Sequence, residues 1–332
     1  MSKVLFIGDA HLKATRMELV VQFLSWLDSI YEQVKPDIIV YSGDYFDNHA
    51  VIRCEILSMF DAHIRKHSNI LKYYILGNHD QFKPNDSKYH ALQPLKGVHD
   101  HFVVVDEVME LDGITMVPFI ADLNQFPVKT QPIVMAHQTF IGADYGYTKA
   151  DAGVDAALVE ADIIISGHVH KRQAFGKVVY PGSPYAQSVN DIDQSKGVMV
   201  FDTEAYQYDY IECPLPQWRG IKFELSPEYS ATDMHQDIEA QIDETNHWVL
   251  DITGPKAEVV SYLDSKQFLA LKKGKKLVTR ATHTDTLKER VKIQAITMDD
   301  IISSYVDEVY SGTLDKSTVI SKALEIKNKV MA

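Results

Sequence analysis

Residues 4–11 read VLFIGDAH, a β-rich apolar run followed by a glycine, an aspartate and a histidine. The same arrangement returns as IIVYSGDYFD at residues 38–47 and as YYILGNHD at residues 73–80. Between these runs, apolar side chains at residues 17–31 and 51–66 recur at spacings of three and four, the period of an amphipathic helix. Strands and helices that alternate in this way predict a layered α/β domain with a buried parallel sheet.

Seven further apolar runs follow, with fewer helical stretches between them. Parallel strands need long crossover connections, so this half of the domain is expected to form a mixed or more antiparallel sheet. We therefore expect two sheets that pack face to face, with helices outside. The runs are residues 102–105, 114–119, 133–136, 163–166, 177–180, 198–201 and 206–213.

The C-terminal part of the chain has a different pattern. Proline and glycine interrupt the periodicity at residues 214–220, which predicts a linker after a first domain at residues 1–213. Residues 221–292 alternate between short strands and helices and predict a small α/β module. Residues 293–332 have a helical pattern with an apolar stripe, for which internal packing is one interpretation and docking on a partner the favoured one.

The composition excludes several classes of protein. With 332 residues, 45% hydrophobic and 24% charged, the chain is neither disordered nor of low complexity. Its two cysteines cannot form a disulfide framework, which favours a cytoplasmic location, or the host cytoplasm for a phage protein. No apolar run approaches the ~20 residues of a membrane span, and the N-terminus leads directly into a strand, so we expect neither a membrane segment nor a signal peptide.

Polar side chains follow five of the predicted strands, at the ends where α/β proteins place their sites. Carboxylate, imidazole and amide donors without thiolates suit divalent Mn, Fe or Zn. A single such motif occurs by chance, and a lone histidine is more often structural; five in order favour a site. Seven donors exceed one tetrahedral ion but suit two ions about 3.5–4 Å apart. They are Asp9, His11, Asp44, Asn78, His137, His168 and His170.

The order D-x-H, G-D-x-x-D, G-N-H-D, H and G-H-x-H resembles the calcineurin-like metallophosphoesterases over residues 3–202. Within that superfamily, GDYFD at residues 43–47 and YPGSP at residues 180–184 resemble nuclease subunits of the SbcD type, found in bacteria and phages. The resemblance implies a four-layer β-sandwich flanked by helices. It also implies a small α/β capping domain and C-terminal helices that bind an SbcC-type ATPase.

The resemblance further implies a role for each donor. Two divalent ions, expected to be Mn²⁺, would activate a hydroxide for in-line attack on a phosphodiester. Asp44 would bridge the two ions. One ion would be held by Asp9, His11, Asp44 and His170, and the other by Asp44, Asn78, His137 and His168.

Three neighbouring residues have other implied roles. His79 would protonate the leaving oxygen or steady the charge on phosphorus, with Asp80 orienting its imidazole. Many relatives carry a second histidine where this chain has Asp47, so Asp47 is assigned a supporting role outside the ligands and is not counted as catalytic.

Charge bears on whether DNA is the substrate. The net charge is −13, of which residues 1–217 hold −11, and a protein that binds phosphate backbones usually has a basic footprint. Two divalent cations would offset this charge where phosphate must bind. We therefore expect DNA binding by the chain alone to be weak and salt-sensitive, with metal and a partner supplying the attraction.

Three functions follow from these patterns. The leading one is a Mn²⁺-dependent DNA exo/endonuclease subunit of repair and recombination, which would use an ATPase on another chain because no P-loop is present. The second is a stand-alone phosphoesterase acting on a nucleotide or small phosphodiester. The third, a catalytically inactive scaffold, is disfavoured because all the donors are present. The candidate substrate contacts are Lys171, Arg172 and Ser183. An ordinary charged pair on the surface is an equal interpretation of the first two. The helices predicted at residues 17–33 and 51–66 are a candidate interface for a homodimer.

Overall fold

The computed structural model describes residues 3–47, 51–83, 86–226, 229–284, 306 and 315–330. It divides into two compact units. The first contains Met1–Ile221, Asp237–Leu250 and Leu271–Thr279, and the second contains Lys222–Gln236, Asp251–Ala270 and the described residues from Arg280 onward. The domain boundaries predicted at residues 213, 220 and 292 stay a prediction, and much of the predicted C-terminal helical segment lies outside the described residues.

The apolar runs of the sequence form strands. The strands in the described part of the chain are β1 (Lys3–Ile7), β2 (Ile38–Tyr41), β3 (Leu71–Ile75), β4 (Gln81–Lys83), β5 (Asp86–His90), β6 (Phe102–Val105), β7 (Met109–Leu111), β8 (Ile114–Val117), β9 (Ile133–His137), β10 (Ile163–Gly167), β11 (Gln173–Phe175), β12 (Val178–Tyr180), β13 (Gly197–Asp202), β14 (Gln207–Glu212), β15 (Trp218–Glu224), β16 (His247–Gly254) and β17 (Leu277–His283). The α-helices there are α1 (Met17–Val34), α2 (Cys54–Lys66), α3 (Ala231–Gln241), α4 (Lys256–Leu263), α5 (Lys266–Lys272) and α6 (Lys316–Val330).

The first sheet has the strand order β14-β13-β1-β2-β3-β6, in which the last four strands are parallel. Successive side chains of β1 point to opposite faces, and both faces are buried. Leu5 and Ile7 pack in the cluster that contains the apolar faces of α1 and α2, whereas Val4 and Phe6 pack towards the second sheet. Burial on both sides explains why this strand is an uninterrupted apolar run.

The second sheet is mixed, as predicted, with the order β11-β12-β10-β9-β8-β7. Its four central strands are parallel, and β11 and β7 pair antiparallel at the edges. Met116, Met135 and Ile165 pack against the first sheet, so the two sheets meet face to face. The outer face is covered by loops and short 3-10 turns through Phe126 and Phe140. The predicted α/β fold class is confirmed.

The C-terminal residues contribute a three-stranded sheet in the order β15-β16-β17. Within the described residues, no helix is long and apolar enough to cross a membrane. Cys54 is exposed and Cys213 is buried, and both carry free thiols.

Candidate metal centre

The predicted donors lie in loops at the carboxyl ends of parallel strands in both sheets. Asp9 and His11 follow β1, Asp44 follows β2, and Asn78 follows β3, while His137 ends β9. The two remaining histidines follow β10 directly. Because parallel strands end at the same edge, the loops of the two sheets converge there, as the sequence predicted.

Six of the seven donors form two groups of three. In each group, the candidate ligand atoms all lie within 4.8 Å of one another. The first trio is Asp9, His11 and His170, and the second trio is Asp44, His137 and His168.

The first trio brings two imidazoles together. His11 Nε2 lies 3.1 Å from His170 Nε2, and His170 Nε2 lies 3.6 Å from Asp9 Oδ2. Two nitrogens that bind one ion at about 2.0–2.1 Å lie about 3 Å apart when they subtend a right angle. The spacing therefore fits a shared divalent cation.

The side-chain amide of Asn78 lies within hydrogen-bond distance of both imidazoles of the second trio. His137 Nε2 lies 3.3 Å from both Asp44 Oδ2 and His168 Nδ1. Asn78 Oδ1 lies 3.1 Å from His137 Nε2 and 2.8 Å from His168 Nδ1, so the seventh donor joins this trio. The oxygen and nitrogen donors of both trios fit divalent Mn, Fe or Zn. That Asp44 bridges two ions stays a prediction.

Groups outside the trios fix the donors. His137 Nδ1 donates to the carbonyl of Ser42 at 2.6 Å, which leaves Nε2 for a ligand and is the arrangement that supports metal-binding histidines. The Ser42 hydroxyl donates to Asp9 Oδ1 at 3.2 Å, and the backbone N–H of His168 donates to Asp9 Oδ2 at 2.8 Å. The Asp9 carboxylate of the first trio thus fixes the backbone of His168, a member of the second trio.

Asp80 is buried and supports the loops around Asp44. It accepts hydrogen bonds from the backbone N–H groups of Asp44 and Gly77, at 2.8 and 2.9 Å, and from the Tyr74 hydroxyl at 3.0 Å. These contacts assign Asp80 a structural task. Its predicted action on the imidazole of His79 stays a prediction.

Three donors have an uncommon backbone conformation. His11, Asp44 and His168 have φ of 41°, 52° and 82°, in the left-handed region that residues with a Cβ rarely adopt. Such strain persists where the surrounding structure holds it in place, and it is concentrated at functional sites. All three residues are predicted ligands.

Two glycines leave room for the carboxylates. A Cβ at Gly77 would lie 2.1 Å from Asp44 Oδ1, and one at Gly167 would lie 2.7 Å from Asp9 Oδ1. Glycine is needed at these two positions because the functional side chains occupy the space that a methyl group would need.

Burial and charge set the protonation states of the metal-free site. Burial alone would lower the pKa of His137, but Asp44 and Asp9 outweigh it and raise that pKa to about 9. Burial opposes the charge on Asp44, but His137 holds the pKa of Asp44 below its ordinary value. Burial lowers the pKa of both His11 and His168 to about 3, so these two imidazoles are neutral at pH 7 and ready to act as ligands.

A comparison of the sequence with known protein families agrees with this geometry. The family model of calcineurin-like phosphoesterases matches residues 2–172, more than half of the chain. The chain belongs to this family. Its members use divalent metals, and this phosphoesterase is a metal-dependent phosphoester hydrolase, which confirms the superfamily and the enzyme class predicted from the motifs.

Two viral proteins are similar to this phosphoesterase. "Putative phosphoesterase 078R" of Invertebrate iridescent virus 3 is 26% identical over 235 residues, which are 64% of this chain and 67% of the viral protein. "Putative phosphoesterase 244L" of Invertebrate iridescent virus 6 is 28% identical over 247 residues, which are 68% of this chain and 86% of the viral protein.

The trios of the phosphoesterase open into a cleft of about 300 Å³. The half-buried imidazole of His79 lines it, with its ring centre 5.0 Å from that of His11. The backbone N–H of His79 donates to Asp44 Oδ1 at 2.8 Å. The predicted acid therefore lies beside both trios, although its role in protonation stays a prediction.

The predicted substrate contacts lie in different surroundings. Lys171 lines the cleft and pairs with Asp144. The Arg172 guanidinium pairs with Glu212 and lies over the ring of Tyr210. Ser183 is fully buried. That these residues bind substrate stays a prediction.

The supporting residue Asp47 is 41% exposed, with Oδ1 3.8 Å from His11 Nδ1 and 2.9 Å from Lys13 Nζ. The sequence interpretation missed Ser42, Tyr74 and Lys196, which donate to the Asp9 carboxylate, the Asp80 carboxylate and the His170 carbonyl, respectively. No local motif marks them.

Proposed function

We propose that this phosphoesterase is a Mn²⁺-dependent DNA nuclease subunit of the SbcD type, which hydrolyses phosphodiester bonds in repair and recombination. The observation that carries the proposal is an exposed aromatic ring in the same cleft as the two trios. Tyr147 is 79% exposed and lines the cleft with Tyr145. Exposed aromatic rings beside a backbone-binding groove stack on the bases of single-stranded nucleic acid.

The turn that carries Tyr147 is well braced. The backbone N–H of Tyr145 donates to the carbonyl of Thr148 at 2.8 Å, and the N–H of Gly146 donates to Asp144 at 2.7 Å. The Tyr145 hydroxyl lies 2.8 Å from Thr139 Oγ1. A braced turn can present the Tyr147 ring to a base with a smaller loss of conformational entropy on binding than a flexible loop.

The chemistry divides among the chain's own residues. The two trios and Asn78 would hold two divalent ions, which lower the pKa of water and neutralise charge on a phosphodiester when bound. His79, which lines the cleft, would give a proton to the leaving oxygen. Asp80, Tyr74 and Ser42 keep these groups in position through the hydrogen bonds described above.

The partners in this proposal are DNA and an SbcC-type ATPase that binds the C-terminal helices. In α6, the apolar residues Val319, Ile320, Ala323 and Leu324 repeat at helical spacing, which supports a docking face. A homodimer through α1 and α2 is also proposed.

The proposal is tested by comparing linear DNA, single-stranded and double-stranded, with a bis-aryl phosphodiester, each with Mn²⁺, for the full chain and for Tyr147→Ala. Base–aromatic stacking is worth about 1–3 kcal/mol, so we expect the ratio of single-stranded DNA to small-ester hydrolysis to fall about tenfold. Tyr206→Ala is the matched control, because this exposed tyrosine lies at the turn between β13 and β14. Hydrolysis of the small ester without DNA degradation would favour the stand-alone phosphoesterase.

A further inference from the structure

Lys196 is a buried lysine that belongs to neither trio. Its side chain is fully buried, and its ammonium group meets four oxygen acceptors. An ammonium has three N–H donors, so its hydrogen-bonding capacity is fully used. The acceptors are the His170 carbonyl at 2.8 Å, Ser183 Oγ at 2.8 Å, Asp191 Oδ1 at 2.7 Å and Gln194 Oε1 at 3.1 Å.

The contact with His170 joins Lys196 directly to the first trio. The same carbonyl accepts a second hydrogen bond, at 3.1 Å, from the backbone N–H of Ser183. Gly182 allows this close approach, because it has φ of +80° and a Cβ there would lie 2.7 Å from the His170 carbonyl oxygen. The YPGSP segment at residues 180–184 therefore wraps the backbone of a predicted ligand.

A second path leads from Lys196 to the other imidazole of the first trio. Asp191 uses its second oxygen to accept from the backbone N–H groups of Gln187 and Ser188, at 2.8 and 3.0 Å. Gln187 Nε2 then donates to the carbonyl of Ala10 at 2.8 Å. Ala10 lies between Asp9 and His11, so the buried ion pair braces both loops that carry the first trio.

We infer that Lys196 is a positioning residue for the first trio: it fixes the separation of His11 and His170 and so sets the affinity of that trio for a divalent cation. The inference rests on the proposed metal-dependent function. Groups that support metal ligands from outside typically change metal affinity 10–100-fold when they are removed. A lysine with a purely structural task would change the melting temperature and leave the metal affinity alone.

The test measures Mn²⁺ binding by calorimetry, and thermal unfolding, in the full chain carrying Lys196→Met. We expect one of two binding sites to lose about 10–100-fold in affinity while the other is retained, with partial rescue in Lys196→Arg. Lys72→Met is the matched control. Lys72 is also fully buried, but it donates to the carbonyls of His67 and Ile70, away from both trios. If the Lys196→Met variant does not fold, the Asp191→Asn variant, which removes the same ion pair, is measured in its place.

The outcomes separate the two proposals. Unchanged affinity at both sites in a folded Lys196→Met or Asp191→Asn variant overturns the inference. An equal loss of affinity in Lys72→Met also overturns it, because the effect would then be general destabilisation. If the unaltered chain binds no Mn²⁺, the proposed metal-dependent function itself fails.

Discussion

Each trio consists of one aspartate and two histidines, but the support of the two trios differs. The second trio is held from within: His137 is fully buried, its Nδ1 is bonded to Ser42, and Asn78 lies between the two imidazoles. The His170 side chain of the first trio is 36% exposed, and the backbone of that residue is held by loops far away in sequence. Preorganised donors lose less freedom when they bind. We therefore expect the second trio to bind its ion more tightly.

The largest expected effect comes from Asp44, which touches both the second trio and the His79 loop. Asp44→Ala removes the oxygen beside His137 and the acceptor of the His79 N–H. Because metal-bound charge is worth several kcal/mol in the transition state, hydrolysis should fall on the order of 10³-fold. Steady-state kinetics with Mn²⁺ measures this. Glu55→Ala, at the start of α2, is the control and should change the rate less than about threefold, since Glu55 is an exposed ion-pair partner of Arg53. Full activity in a folded Asp44→Ala variant would show that the metal site is wrongly assigned.

An intermediate effect is expected from two glycine substitutions, one beside each trio. Gly77→Ala places a Cβ against Asp44, and Gly167→Ala places one against Asp9 and the Ser42 hydroxyl. We expect Gly77→Ala to weaken the tighter of two Mn²⁺ sites and Gly167→Ala to weaken the other, measured by calorimetry. Gly176→Ala is the control: its Cβ would meet no atom within 4 Å, although φ is +53° there. Loss of the same site in both variants would contradict the division into two trios.

The smallest expected effect is the release of one proton from His137 when the second trio binds its ion. Since the metal-free pKa of His137 is raised to about 9, this imidazole is protonated at pH 8 and must lose its proton to become a ligand. Affinity at the second trio should therefore rise with pH up to about 9. His11, with its pKa lowered to about 3, has no proton to release at that pH. Calorimetry in buffers of different ionisation enthalpy should detect release of about one proton at the tighter site. No release at pH 8 would show that His137 is not a ligand.

The sequence was informative where a strand leads directly into a donor. β1 with Asp9, and β3 with Asn78, follow from local pattern alone, because a strand buried on both faces must be apolar and its end must turn. The strands β4, β5, β7 and β11 were not predicted. Three of them have only three residues and form no apolar run, and the sequence of β5, DSKYH, is mostly polar.

The supports of the site depend on contacts that no local pattern records. Lys196 lies in the ordinary stretch QSKGVMV, and its contact with His170 exists only because β10 and β12, adjacent parallel strands of the second sheet, bring the loops that follow them together. The resemblance implied that Asp80 orients the His79 imidazole, which stays a prediction. The hydrogen bonds that the Asp80 carboxylate accepts come from the backbone of Gly77, the Tyr74 hydroxyl and the backbone of Asp44.

The left-handed backbone at His11, Asp44 and His168 limits which residues these three positions can hold. Each residue has a conformation that glycine adopts freely and that costs other residues roughly 1–2 kcal/mol. Glycine would relax the backbone at any of the three positions but would also remove a donor side chain, so the strain cannot be relieved without losing part of the site. The site therefore exists at the expense of folding stability.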